Sequence, residues 1–139
     1  MKLKRLTHLG VPRFISTGIF QQNCNDFRFL IFDRYSQDLQ SVLKTNNHQL
    51  SEKIVMSLTS QILYSLEYIH SKGFAHADIK GANIMLKNEI EVYLIDYGFA
   101  HRFEMKKVYF PKHYGTILYT SRDAHAGFCK KKIQLFFSF

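Results

Sequence analysis

Apolar and polar positions change their spacing several times along this chain, and each change marks an element. The most regular stretch runs from about Ser51 to Lys72. There Ile54, Leu58, Ile62, Leu66 and Ile69 recur at steps of four and three, and Val55, Leu63 and Tyr68 widen the stripe. This is the periodicity of an amphipathic helix with one face against a core. Ser51 is a suitable N-cap, and Gly73 can supply the left-handed residue that ends the helix. Before it, Phe27-Arg28-Phe29-Leu30-Ile31-Phe32-Asp33 is aromatic and β-branched and predicts a strand. Arg13 to Phe20 is a weaker strand candidate, and the turn-forming run Gln22–Asp26 separates the two. Asp38 to Lys44 suits a short helix. After Gly73 come two short apolar runs, Ile84-Met85-Leu86 and Val92-Tyr93-Leu94-Ile95, divided by Lys87 to Glu91. They predict a small β-hairpin carried on the end of the buried helix.

The chain has 139 residues, 46% of them apolar. That is about one domain, with enough apolar matter for a core. No apolar run approaches the ~20 residues of a membrane span. The basic start Met1-Lys2-Leu3-Lys4-Arg5 is not followed by the apolar stretch of a signal peptide. Cys24 and Cys129 stand far apart without a CxxC spacing, which fits a reducing compartment and neither a disulfide framework nor a zinc site. The net charge of +8 is compatible with phosphate-rich partners. Yet the cations are scattered apart from Lys2–Arg5 and Lys130–Lys132, with no basic stripe interleaved with aromatics. Nucleic acid is therefore not expected as the primary ligand.

The chemistry-bearing residues flank the predicted hairpin. Before it the chain reads His76-Ala77-Asp78-Ile79-Lys80-Gly81-Ala82-Asn83, and after it Asp96-Tyr97-Gly98. As a pattern this is H-x-D-x-K-x-x-N followed by D-Y-G. Four fixed positions of this kind recur by chance about once in 10⁵ starts, and the second motif makes the coincidence far rarer. Taken singly, each residue has a plainer reading. Asp78 or Asn83 could cap a turn, Lys80 could be a solvated surface lysine, and His76 could be a satisfied core histidine. A histidine metal site from His70, His76 and Asp78 is a poor fit, because six residues part the histidines and Gly73 breaks the helix between them.

Together the motifs resemble the protein kinases. Further residues look like the vaccinia-related branch of the casein-kinase-1 group. They are Leu9-Gly10-Val11-Pro12, Asp33 to Gln40, Leu66-Glu67-Tyr68-Ile69-His70, Val92 to Gly98, Gly115-Thr116, and Thr120-Ser121-Arg122-Asp123-Ala124-His125-Ala126-Gly127. The resemblance implies an α+β protein-kinase-like fold, present in part: the end of the small β lobe, the hinge, and the first part of the helical large lobe. Residues 1–127 would be a partial kinase domain with hinge, catalytic loop, metal-binding motif and activation segment. Residues 128–139 read as an unrelated apolar and basic tail, whose final apolar run would be an aggregation liability if exposed.

The resemblance also implies roles, which follow the phosphoryl-transfer template of that family. A transferring phosphoryl group spreads negative charge over its oxygens. Cations must therefore stand near those oxygens and a carboxylate near the attacking hydroxyl. Asp78 would accept or orient the hydroxyl proton, with Lys80 at the γ-phosphate and Asn83 and Thr116 completing the catalytic set. Asn83 and Asp96 would hold Mg²⁺ through hard oxygens. For ATP, Phe32, Asp33 and Tyr35 would form the hinge at the adenine, with Phe32 as gatekeeper and Met85 as the pocket floor. Lysine two residues after the aspartate implies a serine/threonine enzyme of the non-specific class, acting on protein hydroxyls. The resemblance to vaccinia-related kinases implies an intracellular place, nuclear or cytoplasmic.

The sequence departs from the family pattern in two ways. Ala77 stands where most kinases place the arginine that pairs with an activation-loop phosphate, so such phosphorylation is not wired to this loop in the usual way. And the 139 residues contain no G-x-G-x-x-G and no V-A-I-K lysine with its glutamate partner. The chain is expected to be truncated at both ends, beginning near the fourth strand of the small lobe. Its alternative function is that of an inactive, pseudokinase-like interaction module.

Overall fold

A computed structural model describes residues 9–88, 91–102, 115–120 and 125. The basic clusters Lys2–Arg5 and Lys130–Lys132, Cys129, the tail 128–139 and most of the Thr120–Gly127 motif lie outside the described residues. Strands β1 (Phe14–Gln22) and β2 (Asn25–Phe32) form an antiparallel hairpin. Asn23 and Cys24 at its tip both have positive φ, 51° and 62°. Two-residue hairpin loops need this left-handed pair so that the turn matches the strand twist. The open end is closed by a forked ion pair, Arg13 Nη2 to Asp33 Oδ1 at 2.9 Å and Nε to Oδ2 at 3.2 Å. Apolar side chains of this hairpin stay exposed, among them Phe14, Ile19, Phe20, Phe27 and Leu30.

Ser36 then carries the chain onto the rest of the molecule, donating its N–H (2.9 Å) and its hydroxyl (2.6 Å) to the carbonyl of Leu86. A two-residue strand β3 (Gln37–Asp38) follows and leads into helix α1 (Leu39–Thr45). Asp38 caps that helix by accepting from the Ser41 amide at 2.9 Å and its hydroxyl at 2.6 Å. Those bonds hold the Asp38 carboxyl below the usual carboxylate range.

Helix α2 (Glu52–Ser71) is capped by the Ser51 hydroxyl and followed by Gly73 at φ +81°. A Cβ there would meet nothing within 4 Å, so the backbone angle alone calls for glycine. Strands β4 (Phe74–Ala75), β5 (Ile84–Leu86), β6 (Val92–Leu94) and β7 (His101–Arg102) complete the described elements, with three-residue 3₁₀ turns at Gly81–Asn83, Tyr97–Phe99 and Ile117–Tyr119. β3, β5 and β6 form one small sheet, and β4 pairs with β7.

The core is α2 laid on the β5–β6 hairpin: Leu58, Ile62, Leu66 and Ile69 against Ile84, Leu86, Val92 and Leu94. Each such side chain contributes about 1.5–3 kcal/mol on burial. The buried face differs from the expected stripe. Gln61 and Ser65 are buried, whereas Ile54 and Leu63 remain 44% and 42% exposed. The covered face is the one that β4 and β6 reach, and it is rotated toward Gln61 and Ser65. Gln61 has a polar task there, since its Oε1 accepts the Val92 amide at 3.2 Å. A cavity of about 700 Å³ is lined by residues of α1, of α2 and of the stretch leading into β5, among them Leu39, Leu43, Leu58, Ile62, Ile84 and Tyr119.

Candidate active site

The loop that joins β4 to the Gly81–Asn83 turn is set by a left-handed residue. Ala77 has φ +68°, which a residue with a Cβ adopts only when its surroundings enforce it. His76, 1% exposed, helps do so. Its Nε2 lies 3.0 Å from the Ile95 carbonyl, and its Nδ1 lies 3.4 Å from the Asp78 amide nitrogen. A carbonyl can only accept, so Nε2 carries the proton and Nδ1 receives the Asp78 N–H. Burial pushes the imidazole pKa down, which keeps this neutral tautomer. His76 thus joins the loop to the strand that ends in the second motif.

Asp78 is 3% exposed, and both its oxygens are occupied. Oδ1 accepts from the Thr116 amide at 2.9 Å and the Thr116 hydroxyl at 2.6 Å. Oδ2 lies 2.8 Å from Lys80 Nζ and accepts from Asn83 Nδ2 at 2.9 Å. Lys80 also donates to the Thr116 hydroxyl at 2.8 Å, which closes a ring of contacts. Burial works to raise the Asp78 pKa, but the bonds from Lys80 and Thr116 together outweigh it and hold the carboxyl below its ordinary value. The result is a buried, ionised carboxylate with a cation beside it. Of the expected catalytic residues, the structure therefore joins Asp78, Lys80, Asn83 and Thr116 directly.

Asp96 reaches this group through the backbone. The Ile95 amide donates to the Asn83 carbonyl at 2.9 Å, so Asp96 follows one residue beyond that bond. It is left-handed, φ +62°, and its Oδ1 accepts the Gly98 amide at 3.2 Å. The Asn83 amide nitrogen is committed to the Asp78 carbonyl and carboxylate, both at 2.9 Å, which leaves its oxygen as the ligand-capable atom. One amide oxygen and one carboxylate make a hard, sparse donor set. That suits Mg²⁺, which keeps several waters and takes few protein ligands. Among the described residues no three His, Cys, Asp or Glu side chains gather as a metal cluster, so the His70–His76–Asp78 alternative gains nothing.

The expected adenine residues are more dispersed. Phe32 meets Phe14 edge-on, with centroids 6.2 Å apart, and is 42% exposed. Asp33 is engaged by Arg13. Tyr35 stacks on Tyr93 at 4.7 Å. Met85 lies on β5 opposite Asp38 and Tyr93. None of the four lines the 700 Å³ cavity, so that cavity is not the expected nucleotide site.

Tyr97 supplies a prediction of its own. Its ring packs against His76 at 4.8 Å, and its hydroxyl is buried with no hydrogen-bond partner among the described residues. Burial raises the phenol pKa strongly, so the group stays neutral. A buried hydroxyl left unpaired costs about 1–3 kcal/mol. Tyr97→Phe should therefore leave stability unchanged or raise the melting temperature by a few degrees in a thermal melt. A clear loss of stability would mean the hydroxyl has a partner.

Residues 2–124 match the family described as Protein kinase domain. This chain belongs to the protein kinase family. Within that family its similarity lies with the vaccinia-related kinases. Nucleosomal histone kinase 1 of Drosophila melanogaster is 38% identical over 142 aligned positions, which cover 97% of this chain and 24% of that protein. Serine/threonine-protein kinase VRK2 of Homo sapiens is 36% identical over 133 positions, covering 89% of this chain and 26% of that protein. The solved structure of vaccinia related kinase 3 superposes with a TM-score of 0.78 at 29% identity, over 86% of this chain and 39% of that one. The fold is thus a part of the α+β kinase fold, and the chain spans about a quarter of the length of the two curated relatives.

The residues that sequence reasoning did not reach are the supporting ones. Gln61, Ser36 and Ser65 look like ordinary surface polars in the sequence. Gln61 and Ser65 stand beside an unbroken apolar stripe, and their burial follows from the face that β4 and β6 cover.

Proposed function

We propose that this segment forms the phosphoacceptor side of a serine/threonine protein kinase site, which moves the γ-phosphate of ATP to a protein hydroxyl. The observation that carries this reading is the buried Asp78 carboxylate, held ionised by Lys80 and Thr116 and bonded to Asn83, whose carbonyl in turn binds the Ile95 amide next to Asp96. In this reading Asp78 orients the attacking hydroxyl and takes its proton. Lys80, already bound to Asp78 and Thr116, places its ammonium toward the transferring phosphoryl group. Asn83 and Asp96 hold the metal, and Mg²⁺ when bound neutralises charge on the phosphate oxygens. Phe32, Asp33 and Tyr35 meet the adenine over Met85. Residues 1–127 are the kinase part and 128–139 a separate tail.

The protein substrate is proposed by analogy. One similar protein carries nucleosomal histone in its name, and a nuclear or cytoplasmic place accords with such a substrate. Among the described residues no helix is long and apolar enough to cross a membrane. A second reading, an inactive interaction module, is favoured by one observation: the β1–β2 hairpin leaves its large apolar side chains exposed.

Both readings meet one experiment. A chain that joins this segment to a phosphate-binding small lobe is incubated with labelled ATP, Mg²⁺ and a histone or casein. Label on serine or threonine is expected, and label mainly on tyrosine would overturn the substrate class. Beside it, the 139-residue chain alone should turn over at least 10²-fold more slowly, because it holds no glycine-rich loop to cover the phosphates. Comparable rates would show that the loop residues suffice without that lobe.

A further inference from the structure

We propose that Gly115 is a positioning residue: resting on the carbonyl of Ala77, it seats Thr116 on Asp78. The inference deepens the kinase reading above and rests on it for the role of Asp78. Gly115 has φ +90°, and a Cβ placed on it would lie 2.6 Å from the Ala77 carbonyl oxygen and 3.8 Å from Asp78 Oδ1. The obstacle is backbone, which cannot swing aside as a side chain would. Ala77 is itself left-handed at φ +68° and buried. Two residues far apart in sequence, both in a conformation disfavoured for residues with a Cβ, thus bring their peptide units into contact. The next residue is the one that matters: from this seat the Thr116 amide and hydroxyl both reach Asp78 Oδ1, at 2.9 and 2.6 Å.

What the glycine decides is position and not core packing. The 3₁₀ turn that follows contains no buried residue, and Leu118 is 83% exposed. An added methyl at 115 therefore lifts an exposed segment off the loop and leaves the α2 core in place. Thr116 loses Asp78, and Lys80 loses the hydroxyl it shares with them. Asp78 then keeps only the Lys80 and Asn83 contacts on Oδ2, and its Oδ1 is free to turn. The orientation of the carboxylate toward an acceptor hydroxyl is set by the bonds on both oxygens, so catalysis weakens while nucleotide binding is untouched.

The test has two arms. In the 139-residue chain, hydrogen exchange at the Thr116 amide is compared between wild type and Gly115→Ala, together with the melting temperature. Loss of protection at Thr116 with an unchanged melt is expected. Retained protection overturns the proposal. In the chain that phosphorylates, Gly115→Ala should lower kcat about 10²-fold with KM for ATP unchanged, on the scale of losing one preorganised contact. Thr116→Val, which removes the hydroxyl that Asp78 and Lys80 share, should lower kcat on the same scale with KM for ATP unchanged. Because Gly115 acts through Thr116, the double variant Gly115→Ala/Thr116→Val should be no slower than the slower single variant. Additive losses, or a melting temperature that falls in step with kcat, would show a merely structural glycine. If the wild-type chain transfers no phosphate at all, the kinase reading fails while the exchange arm still decides the seat.

Discussion

Asp78→Asn is expected to lower phosphoryl transfer by about 10²–10⁴-fold, the range for loss of a positioned general base. The substitution is less conservative here than its shape suggests. Every partner of the Asp78 carboxylate is a donor: the Thr116 amide and hydroxyl on Oδ1, Lys80 and the Asn83 amide on Oδ2. An asparagine must turn its own NH₂ toward one of these pairs. Toward Oδ2 it meets an ammonium and an amide, and toward Oδ1 it meets the Thr116 N–H. A buried donor is left facing a donor, which costs about 1–3 kcal/mol in stability besides the lost negative charge. Lys80 also loses the anion that holds it. The measurement is single-turnover phosphate transfer at saturating ATP, with a urea melt on the same protein. The kcat should fall with little change in KM for ATP, and the melt should move to lower urea. Transfer within tenfold of wild type would remove Asp78 from the chemistry.

Much of this arrangement is legible in the residue pattern. The α2 stripe, its Ser51 cap and its Gly73 stop are strong local signals, and the helix runs where they place it. The hairpin is equally legible, because Ile84–Leu86 and Val92–Leu94 are apolar runs parted by polar residues. Since the hairpin returns the chain, it also brings the two motifs together, which is why Asn83 and Ile95 are bonded neighbours. Other features leave no local trace. Strands β3, β4 and β7 are two residues long, too short for any periodicity, and exist because longer elements hold them in register. The left-handed backbone of Ala77 has no sequence signal at all, since alanine has no preference for it. It follows from His76, Asp78 and Gly115 converging on that peptide. The exposure of Ile54 and Leu63 is likewise a matter of which face β4 and β6 cover, and periodicity gives the width of a stripe but not its partner.

Gly10→Ala should be the most damaging change remote from the site, at about 2–5 kcal/mol. Gly10 is buried at φ +63°, and its carbonyl accepts the Leu94 amide at 2.8 Å. It thereby lays the Leu9–Pro12 stretch across α2 and β6. A Cβ at this position would collide with Ser65 Oγ and lie 2.9 Å from Ser65 Cβ and 3.4 Å from the Val92 carbonyl. Two penalties combine. Left-handed backbone with a Cβ costs about 1–2 kcal/mol, and forcing a methyl into packed surroundings costs about 1–3 more. Ser65 cannot yield freely, because it is 1% exposed and its hydroxyl donates to the Gln61 carbonyl at 2.8 Å. Gln61 in turn holds the Val92 amide, so a displaced Ser65 disturbs the helix–hairpin joint that carries Asn83 and Asp96. Ser65→Gly separates the two penalties. Alone it costs about 1 kcal/mol for glycine in a helix. Combined with Gly10→Ala it removes the clash and leaves the backbone term, so the double variant should be more stable than the sum of the singles predicts, by about 1–3 kcal/mol. Urea melts of the four proteins, with unchanged m, give that coupling directly. If Gly10→Ala lies within about 0.5 kcal/mol of wild type, the Leu9–Pro12 stretch is not packed as the structure has it. If the two changes simply add, the backbone angle alone explains the glycine and the Ser65 contact carries no energy.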